Sequence, residues 1–534
     1  MPLLTLPTSS FTDVTSTVSG AYALCLLALL LMVLAFVLGR HKRASSRVLL
    51  PPSPRRHWFW GNKPFLNSPY RHVLLGRQLK QELGDIISLV TPFHTRIIVN
   101  TSELASELLD KQAAATSDRP QEVMVNEILG WSNSVGFHTH NERHKKLRRV
   151  LASALHPSAA RSYASQHLDS THDLLRRVVN DPANFMGSLN DVVGEFILRL
   201  AYGYKAKKND PLLNMVREAM DCMGKATSTY FLVNDFPILK HIPAWFPGAN
   251  FQRFGQAGRA LRDRYANEPF ETVFNQVRRG RVERPSYTSQ LLEAKGGDKA
   301  SQSDIDLVKW TAASMFAAGS TTTVSVISAC FLMLSLHPEV VKTARAEIDS
   351  VIGRERIPTL GDRESLPYVD AVLQEVMRLC PVVPLGLTHR ATEDIEFHGY
   401  HIPEGSSINA NIWAILRDPR HYQAPQTFDP TRFLKPVPDP DPRKYIFGFG
   451  RRICPGLHVG NNSTWIMCAG ILATLEVKPG PEVSAKVAAI GGRDLERLHE
   501  LFVPYGLGGD PLPFSCSISP RDEVAEAMIR NSAV

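Results

Sequence analysis

Residues Phe447 to Gly456 read FGFGRRICPG, one cysteine among three glycines, two arginines and two phenylalanines. A cysteine in such a loop has four uses: inert packing, half of a disulfide, a nucleophile or a metal ligand. Pro455 suits the first residue of a helix, which would set Cys454 at a helix N-terminus. There the macrodipole and unpaired backbone N–H groups favour a thiolate. The glycines allow tight turns and the close approach of a flat partner. Arg452 adds a fixed cation suited to a carboxylate or phosphate. A thiolate cradled by backbone donors beside an arginine fits the axial ligand of a haem iron, whose propionates need cations. A glycine-rich loop around a buried cysteine is the plainer reading of the same residues.

The chain around this loop is ordinary globular material. It has 534 residues, 44% of them hydrophobic and 21% charged, enough for one large domain or several smaller ones. The formal net charge is +8, yet no long Lys/Arg block occurs, so a nucleic-acid partner is not expected. A locally basic face for an acidic partner or a membrane surface fits better. The seven cysteines (Cys25, Cys222, Cys330, Cys380, Cys454, Cys468 and Cys516) are odd in number and scattered, with no C-x-x-C pair. That pattern argues against a disulfide framework and a structural zinc site, and for a reducing compartment.

The amino terminus carries its own signal. Ala21 to Leu38 reads AYALCLLALLLMVLAFVL, without a charge, and Arg40, His41, Lys42, Arg43 and Arg47 follow. Eighteen helical residues span ~27 Å, close to the hydrocarbon thickness of a bilayer. The positive charge after the run sets that end in the cytoplasm. A cleaved signal peptide has the opposite charge order, and Met1 to Gly20 holds no Lys or Arg. The expected organisation is a short lumenal segment (1–20), an uncleaved transmembrane anchor (21–38), a basic, Pro-rich tether (39–60) and a catalytic domain (61–534). Within the tether, LLPPSPRRHWFWGN (Leu49 to Asn62) supplies three prolines and then three aromatics.

Helical periodicity dominates from about Lys80 to Asn180, interrupted by the strand-like runs DIISLV and RIIVN. Ser303 and Asp306 make a capping-box pattern, and an apolar-rich run continues to His337-Pro338, a helix of over thirty residues. A second helix holds LPYVDAVLQEVMRLCPVVP and stops at Pro381. IEFHGYHI and SSINANIW are β-prone, and KPVPDPDPRK has proline at every second position from Pro436 to Pro442, an extended approach to the cysteine loop. The fold class is mainly α with small peripheral β-sheets.

FGFGRRICPG resembles the haem loop of the cytochromes P450, F-x-x-G-x-R-x-C-x-G, matched by Phe447, Gly450, Arg452, Cys454 and Gly456. Glu375-Val376-Met377-Arg378 is similar to that family's E-x-x-R helix, and FDPTRF, Phe428 to Phe433, resembles its next element. The resemblance runs from about Pro51 to Arg521. It implies the cytochrome P450 fold, a single large haem domain behind the N-terminal transmembrane helix, with haem b ligated by the Cys454 thiolate. Glu375 and Arg378 share a helix face at i, i+3, and the resemblance implies that Arg432 completes a buried ionic triad.

Three further stretches gain meaning from the resemblance. In FAAGSTTTVS, Phe316 to Ser325, threonines that bond back one turn can bend the helix and open a groove for oxygen. Ala318 and Gly319 match the family pattern and Thr322 falls at the proton-delivery threonine. Thr321 stands where an acid is usual, so water or a substrate hydroxyl would complete the relay. Small residues at a packing crossing are the plainer reading. In HTHNERHKKLRRVL the family has W-x-x-x-R binding a propionate; here His144 and Arg148 hold those positions. Lys145, Lys146 and Arg149 beside them offer a docking face for a flavin reductase, or an ordinary solvated face. Arg390, in LGLTHRATED, resembles the arginine that reaches the other propionate, with His389 a weaker candidate. No second iron ligand is expected from protein; His458 reads as an ordinary residue.

The implied activity is a monooxygenase that inserts one atom of O2 into a hydrophobic small molecule by hydroxylation or epoxidation. Electrons come from NADPH through NADPH-cytochrome P450 reductase, with cytochrome b5 as an optional partner. The implied location is the endoplasmic reticulum membrane, single-pass, with the catalytic domain cytosolic. Four mainly apolar segments should line the pocket: Asp118 to Asn141, Ala313 to Thr322, PVVPLGL and YGLGGDPLPF. They suit a terpenoid, a polyketide-derived or a fatty-acid-like compound, and the carboxy-terminal half looks most like fungal secondary-metabolism members. Two alternatives are a haem-thiolate isomerase or dehydratase that does not use O2, and a non-catalytic haem sensor or carrier. Lys478 to Tyr505 departs from the family's usual pattern.

Overall fold

A computed structural model describes residues 49–207, 210–490, 495–506 and 509–531. The expected lumenal segment, anchor and first part of the tether lie outside these residues. Short strands form, most of them on β-branched residues as their composition favours. These are β1 (Ile86–Val90), β2 (Thr95–Val99), β3 (His389–Arg390), β4 (Ile395–Phe397), β5 (Tyr400–Ile402), β6 (Ser407–Ala410), β7 (Leu475–Pro479) and β8 (Cys516–Pro520). One sheet has the order β1-β2-β6-β3, and β4-β5 and β7-β8 are separate two-stranded pairs. β2 and β6 run parallel, while the other pairs are antiparallel.

The second half of the expected tether belongs to the domain. The Ser88 hydroxyl and N–H donate to the carbonyls of Pro51 and Pro52, and the Asn62 amide donates to that of Pro54. Prolines without N–H groups offer only carbonyls, and β1 supplies the matching donors.

The main helices are α1 (Glu142–Leu155), α2 (Ala164–Asn180), α3 (Phe185–Tyr202), α4 (Pro211–Ser228), α5 (Asn250–Arg278), α6 (Gln302–Leu336), α7 (Pro338–Val351), α8 (Pro367–Leu379) and α9 (Leu457–Thr474). α6 is apolar around nearly its whole circumference and is buried accordingly, which makes it the axis of the domain. Among the described residues it alone is long and apolar enough to cross a membrane, and it is a core helix. Its cap differs from the sequence expectation. Ser301 accepts from the Asp304 N–H, while Asp306 instead pairs with Arg143 on α1.

Two hydrophobic cores meet along α6. Leu307 to Ala317 packs with α1, α3, α4 and α5, and Val324 to Leu336 packs with α2, α7, α8 and α9. The seam between them, residues 318 to 323, contributes to neither core. Gly319 marks the crossing with α3: a Cβ there would lie 2.7 Å from the Ile197 side chain. Its smallness serves helix packing rather than the groove.

The unusual stretch Lys478 to Tyr505 forms the end of β7, a helix over Pro481–Ala489 and a 3₁₀ segment over Leu495–Leu501. Val483 and Val487 of that helix are buried against the second core. The helix has an ordinary apolar face.

Candidate active site

Glu375 and Arg378 face inward from α8 and are wholly buried. Arg378 donates to Oε2 and Oε1 of Glu375 at 2.7 and 2.8 Å, and Arg432 Nε donates to Oε1 at 3.0 Å. The remaining donors are used on the carbonyls of Leu416, Pro425, Thr427 and Gln423, and on Asp439 at 3.0 Å. Buried charges survive only when paired and fully hydrogen-bonded, and these are. Asp439 N–H also returns to the Arg432 carbonyl, so the proline-rich segment turns back on the triad before entering the cysteine loop.

The loop is built by its glycines. Gly450 has φ +52, and a Cβ there would lie 2.3 Å from the Leu109 carbonyl oxygen. Its N–H donates to Asp110 at 2.6 Å, and the Cys454 N–H closes the loop on the Phe447 carbonyl at 2.7 Å. Pro455 and Gly456 form a turn, and α9 begins only at Leu457 with Gly456 as its N-cap. The helix therefore starts two residues later than Pro455 suggested. Burial pushes the Cys454 thiol up, opposed by a hydrogen bond from the Gly456 N–H and by the Arg148 charge. Desolvation outweighs the backbone donor and the arginine charge; a metal cation bound at the sulfur would reverse that balance.

Cations gather beside the thiol. Arg452 donates to the carbonyls of Ser117 at 2.6 Å and His138 at 2.8 Å, and its Nη1 meets His144 Nε2 at 2.7 Å. Arg119 donates to the carbonyls of Gly136, Leu387 and Thr388. Burial first, and then repulsion from Arg452 and Arg148, hold Arg119 down to about 9; burial, with repulsion from Arg148, holds Arg452 down to about 10. Asp118 is the carboxylate that offsets them.

β3 alternates across this group. His389 is buried, with Nδ1 2.8 Å from the Thr116 carbonyl oxygen and under the influence of Arg119 and Arg452. Arg390 turns the other way, 37% exposed, and pairs with Asp118 at 3.1 Å. The structure thus gathers Arg452, His144, Arg148, Arg119 and His389 and leaves Arg390 outside the buried group. Sequence reasoning missed Arg119; its signal was an arginine beside Asp118 just after an uncharged AAATS run.

On α6 a stripe that runs from Ser314 into the seam is open amid buried neighbours: Ser314, Ala318, Thr321 and Thr322, at i, i+4, i+7 and i+8, with Gly319 beside it. The Thr322 and Thr321 hydroxyls donate to the carbonyls of Ala318 and Ala317, at 3.0 and 3.3 Å. A helix in the middle of a domain with one open stripe faces an internal space. A separate cleft, with no residue of α6 in its wall, is bounded by Arg71, Arg96, Arg119, Glu122, Phe137 and Val383 among others.

Two buried guanidiniums and a half-buried one with one carboxylate, beside a thiol held by a backbone N–H, are the donor set for a flat dicarboxylate that carries a metal. The residues fit a haem. The family described as Cytochrome P450 matches residues 51–491. The chain belongs to the cytochrome P450 family. Cytochrome P450 monooxygenase 98 of Postia placenta is 36% identical over 522 residues, covering 96% of each chain. Cytochrome P450 monooxygenase claR of Ampulloclitocybe clavipes is 36% identical over 488 residues, 90% of this chain and 88% of its own. Cytochrome P450 monooxygenase ppsD of Aspergillus oryzae is 34% identical over 518 residues, 95% of this chain and 96% of its own. A zebra fish cytochrome P450 solved with abiraterone superposes with a TM-score of 0.65 at 25% identity, over 84% of this chain and all of its own. This P450 is therefore an oxidoreductase of the haem monooxygenase type.

Proposed function

We propose that this cytochrome P450 oxidises a hydrophobic small molecule of secondary metabolism, a terpenoid or polyketide-derived compound, with electrons from NADPH through a membrane-bound reductase. The observation that carries the reading is the open α6 stripe set in a buried helix, with Thr322 at its end. The haem, when bound, supplies oxygen activation and oxygen insertion into a C–H or C=C bond.

The chain's own residues prepare that chemistry. Cys454 is the iron ligand, and Gly456 N–H and Arg148 steady its sulfur. Arg452, Arg148, Arg119 and His389 hold the propionates, with His144 orienting Arg452 through the 2.7 Å contact. Phe447, Gly450 and Gly456 shape the loop, and Glu375, Arg378 and Arg432 lock the segment behind it. The Thr322 and Thr321 hydroxyls, already donating to carbonyls, present lone pairs to the open side and take part in moving protons.

Exposed Lys145, Lys146 and Arg149 on α1 form the docking face for an acidic reductase. Trp58, Ile238, Trp245 and Phe246 are exposed, which suits a surface seated in the endoplasmic reticulum membrane beside the anchor. The test is product formation by membranes that contain the full chain and a reductase, offered terpenoid and polyketide panels. Products that need both NADPH and O2 support the reading. Products formed from a peroxide substrate without NADPH identify an isomerase or dehydratase instead.

A further inference from the structure

From Leu307 to Leu336, α6 carries no Asp, Glu or His, so the part of the helix that bears the open stripe owns no acid. An acid reaches it from elsewhere. Asp510, on the carboxy-terminal hairpin, hydrogen-bonds the Ser325 hydroxyl through Oδ1, and that hydroxyl also meets the Thr321 carbonyl oxygen at 3.2 Å. Ser325 lies one helical turn beyond Thr321 and Thr322 on the same side of α6. It is buried, whereas Asp510 is exposed. Asp510 therefore joins the solvent side to a buried hydroxyl one turn from the stripe. Burial pushes the Asp510 carboxyl up, which favours the form that holds a proton to give.

The hairpin fixes this contact. The Val503 N–H donates to the Asp510 carbonyl at 2.9 Å, and the Leu512 N–H to the Leu501 carbonyl at 2.8 Å. A Cβ on Gly509 would lie 2.3 Å from Val382 Cα and 2.6 Å from the Pro381 carbonyl oxygen, both backbone atoms. The chain beside Asp510 is therefore pressed onto the segment that follows α8. Asp221 of α4 feels the Asp510 charge and is likewise pushed up by burial, a second carboxyl on the same side.

We propose that Asp510, positioned by Ser325, supplies protons to the oxygen side of the cavity in place of an acid on α6. This rests on the monooxygenase reading above. Each turnover takes O2, substrate, two electrons from NADPH through the reductase and two protons. One oxygen atom enters the substrate and the other leaves as water. Asp510 gives its carboxyl proton through the Ser325 hydroxyl and regains one from solvent. When protons fail to arrive there, the two electrons leave with O2 as hydrogen peroxide, protonated by bulk water.

The test needs no known substrate. Full-chain holoenzyme in membranes with reductase is given NADPH and O2, and hydrogen peroxide released per NADPH is counted for wild type, Asp510→Asn and Ser325→Ala. The four-electron route to water needs the same protons. General acid catalysis contributes about 10²–10⁴-fold, so the water-forming flux should fall about 100-fold in Asp510→Asn. Adding Thr321→Glu, which returns an acid to α6, should restore it. Infrared difference spectra of the reduced, carbon monoxide-bound protein give an independent reading. A protonated-carboxyl band present in wild type should vanish in Asp510→Asn and shift in Ser325→Ala. Peroxide per NADPH unchanged by Asp510→Asn, a wild type that already releases one peroxide per NADPH, or no carboxyl band would each overturn the proposal. If Asp510→Asn loses its carbon monoxide spectrum through misfolding, Ser325→Ala carries the same comparison. A wild type that takes no electrons from NADPH sinks the monooxygenase reading, while the infrared band still reports on Asp510.

Discussion

Arg378 grips both oxygens of Glu375, at 2.7 and 2.8 Å, with neither side chain accessible to solvent. Arg432 shares one of those oxygens at 3.0 Å. Replacing Glu375 by Gln leaves two buried guanidiniums without their carboxylate, a loss of about 3–5 kcal/mol. The expected result in urea unfolding is a much earlier midpoint, and haem lost on gel filtration. A midpoint within experimental error of wild type contradicts the buried triad.

His144 Nε2 is the acceptor for Arg452 Nη1. His144→Ala removes it and should cost about 1.5–3 kcal/mol, the range for a hydrogen bond to a charged group. Thermal unfolding reads that cost directly. His144→Gln, which offers a carbonyl oxygen to the same guanidinium, should recover part of it. Equal melting temperatures for Ala and wild type would remove His144 from the site.

Acid should weaken the fold. His167 and His389 are buried, and burial pushes them down to about 4 and about 3. In the unfolded chain each titrates near ~6.5. Below that pH the unfolded state binds protons that the native state refuses, so stability present at neutral pH is lost on acidification. By pH ~5 each histidine accounts for about 2 kcal/mol. Urea midpoints measured from neutral pH downward should fall, and less steeply in His167→Asn. A midpoint that holds steady down to pH ~5 contradicts the neutral, buried assignment.

Charge reversal on α1 tests the reductase face. Lys146→Glu with Arg149→Glu should slow electron transfer from the reductase about tenfold at low salt, and the difference should shrink as salt rises. Stopped-flow reduction under carbon monoxide gives the rate. Equal rates at low salt would make this an ordinary solvated face.

Local patterns were legible in the sequence, and contacts across long separations were not. Cys454 with its glycines and Glu375 with Arg378 lie within ten residues of the features that define them. Their chemistry was legible through the family resemblance that these short patterns carry. Ser301 and Ser303 both carry an acid three residues on, so sequence could not choose the α6 cap; Arg143, from another helix, takes Asp306 and decides it. Arg390 and His389 are adjacent, and only the direction of a two-residue strand separates the exposed one from the buried one. Prolines that read as a tether pack on Ser88, 37 residues along the chain. Asp510 meets Ser325 across 185 residues, a pairing with no trace in either local pattern.

The central claim is that Cys454 ligates a haem iron whose opposite side is open toward the α6 stripe. The carbon monoxide difference spectrum of the reduced, membrane-expressed chain tests it, beside Cys454→Ala. The account predicts a strongly red-shifted Soret band in wild type that disappears in the variant. A band at the position of a histidine-ligated haem, or the same spectrum from both proteins, would contradict it.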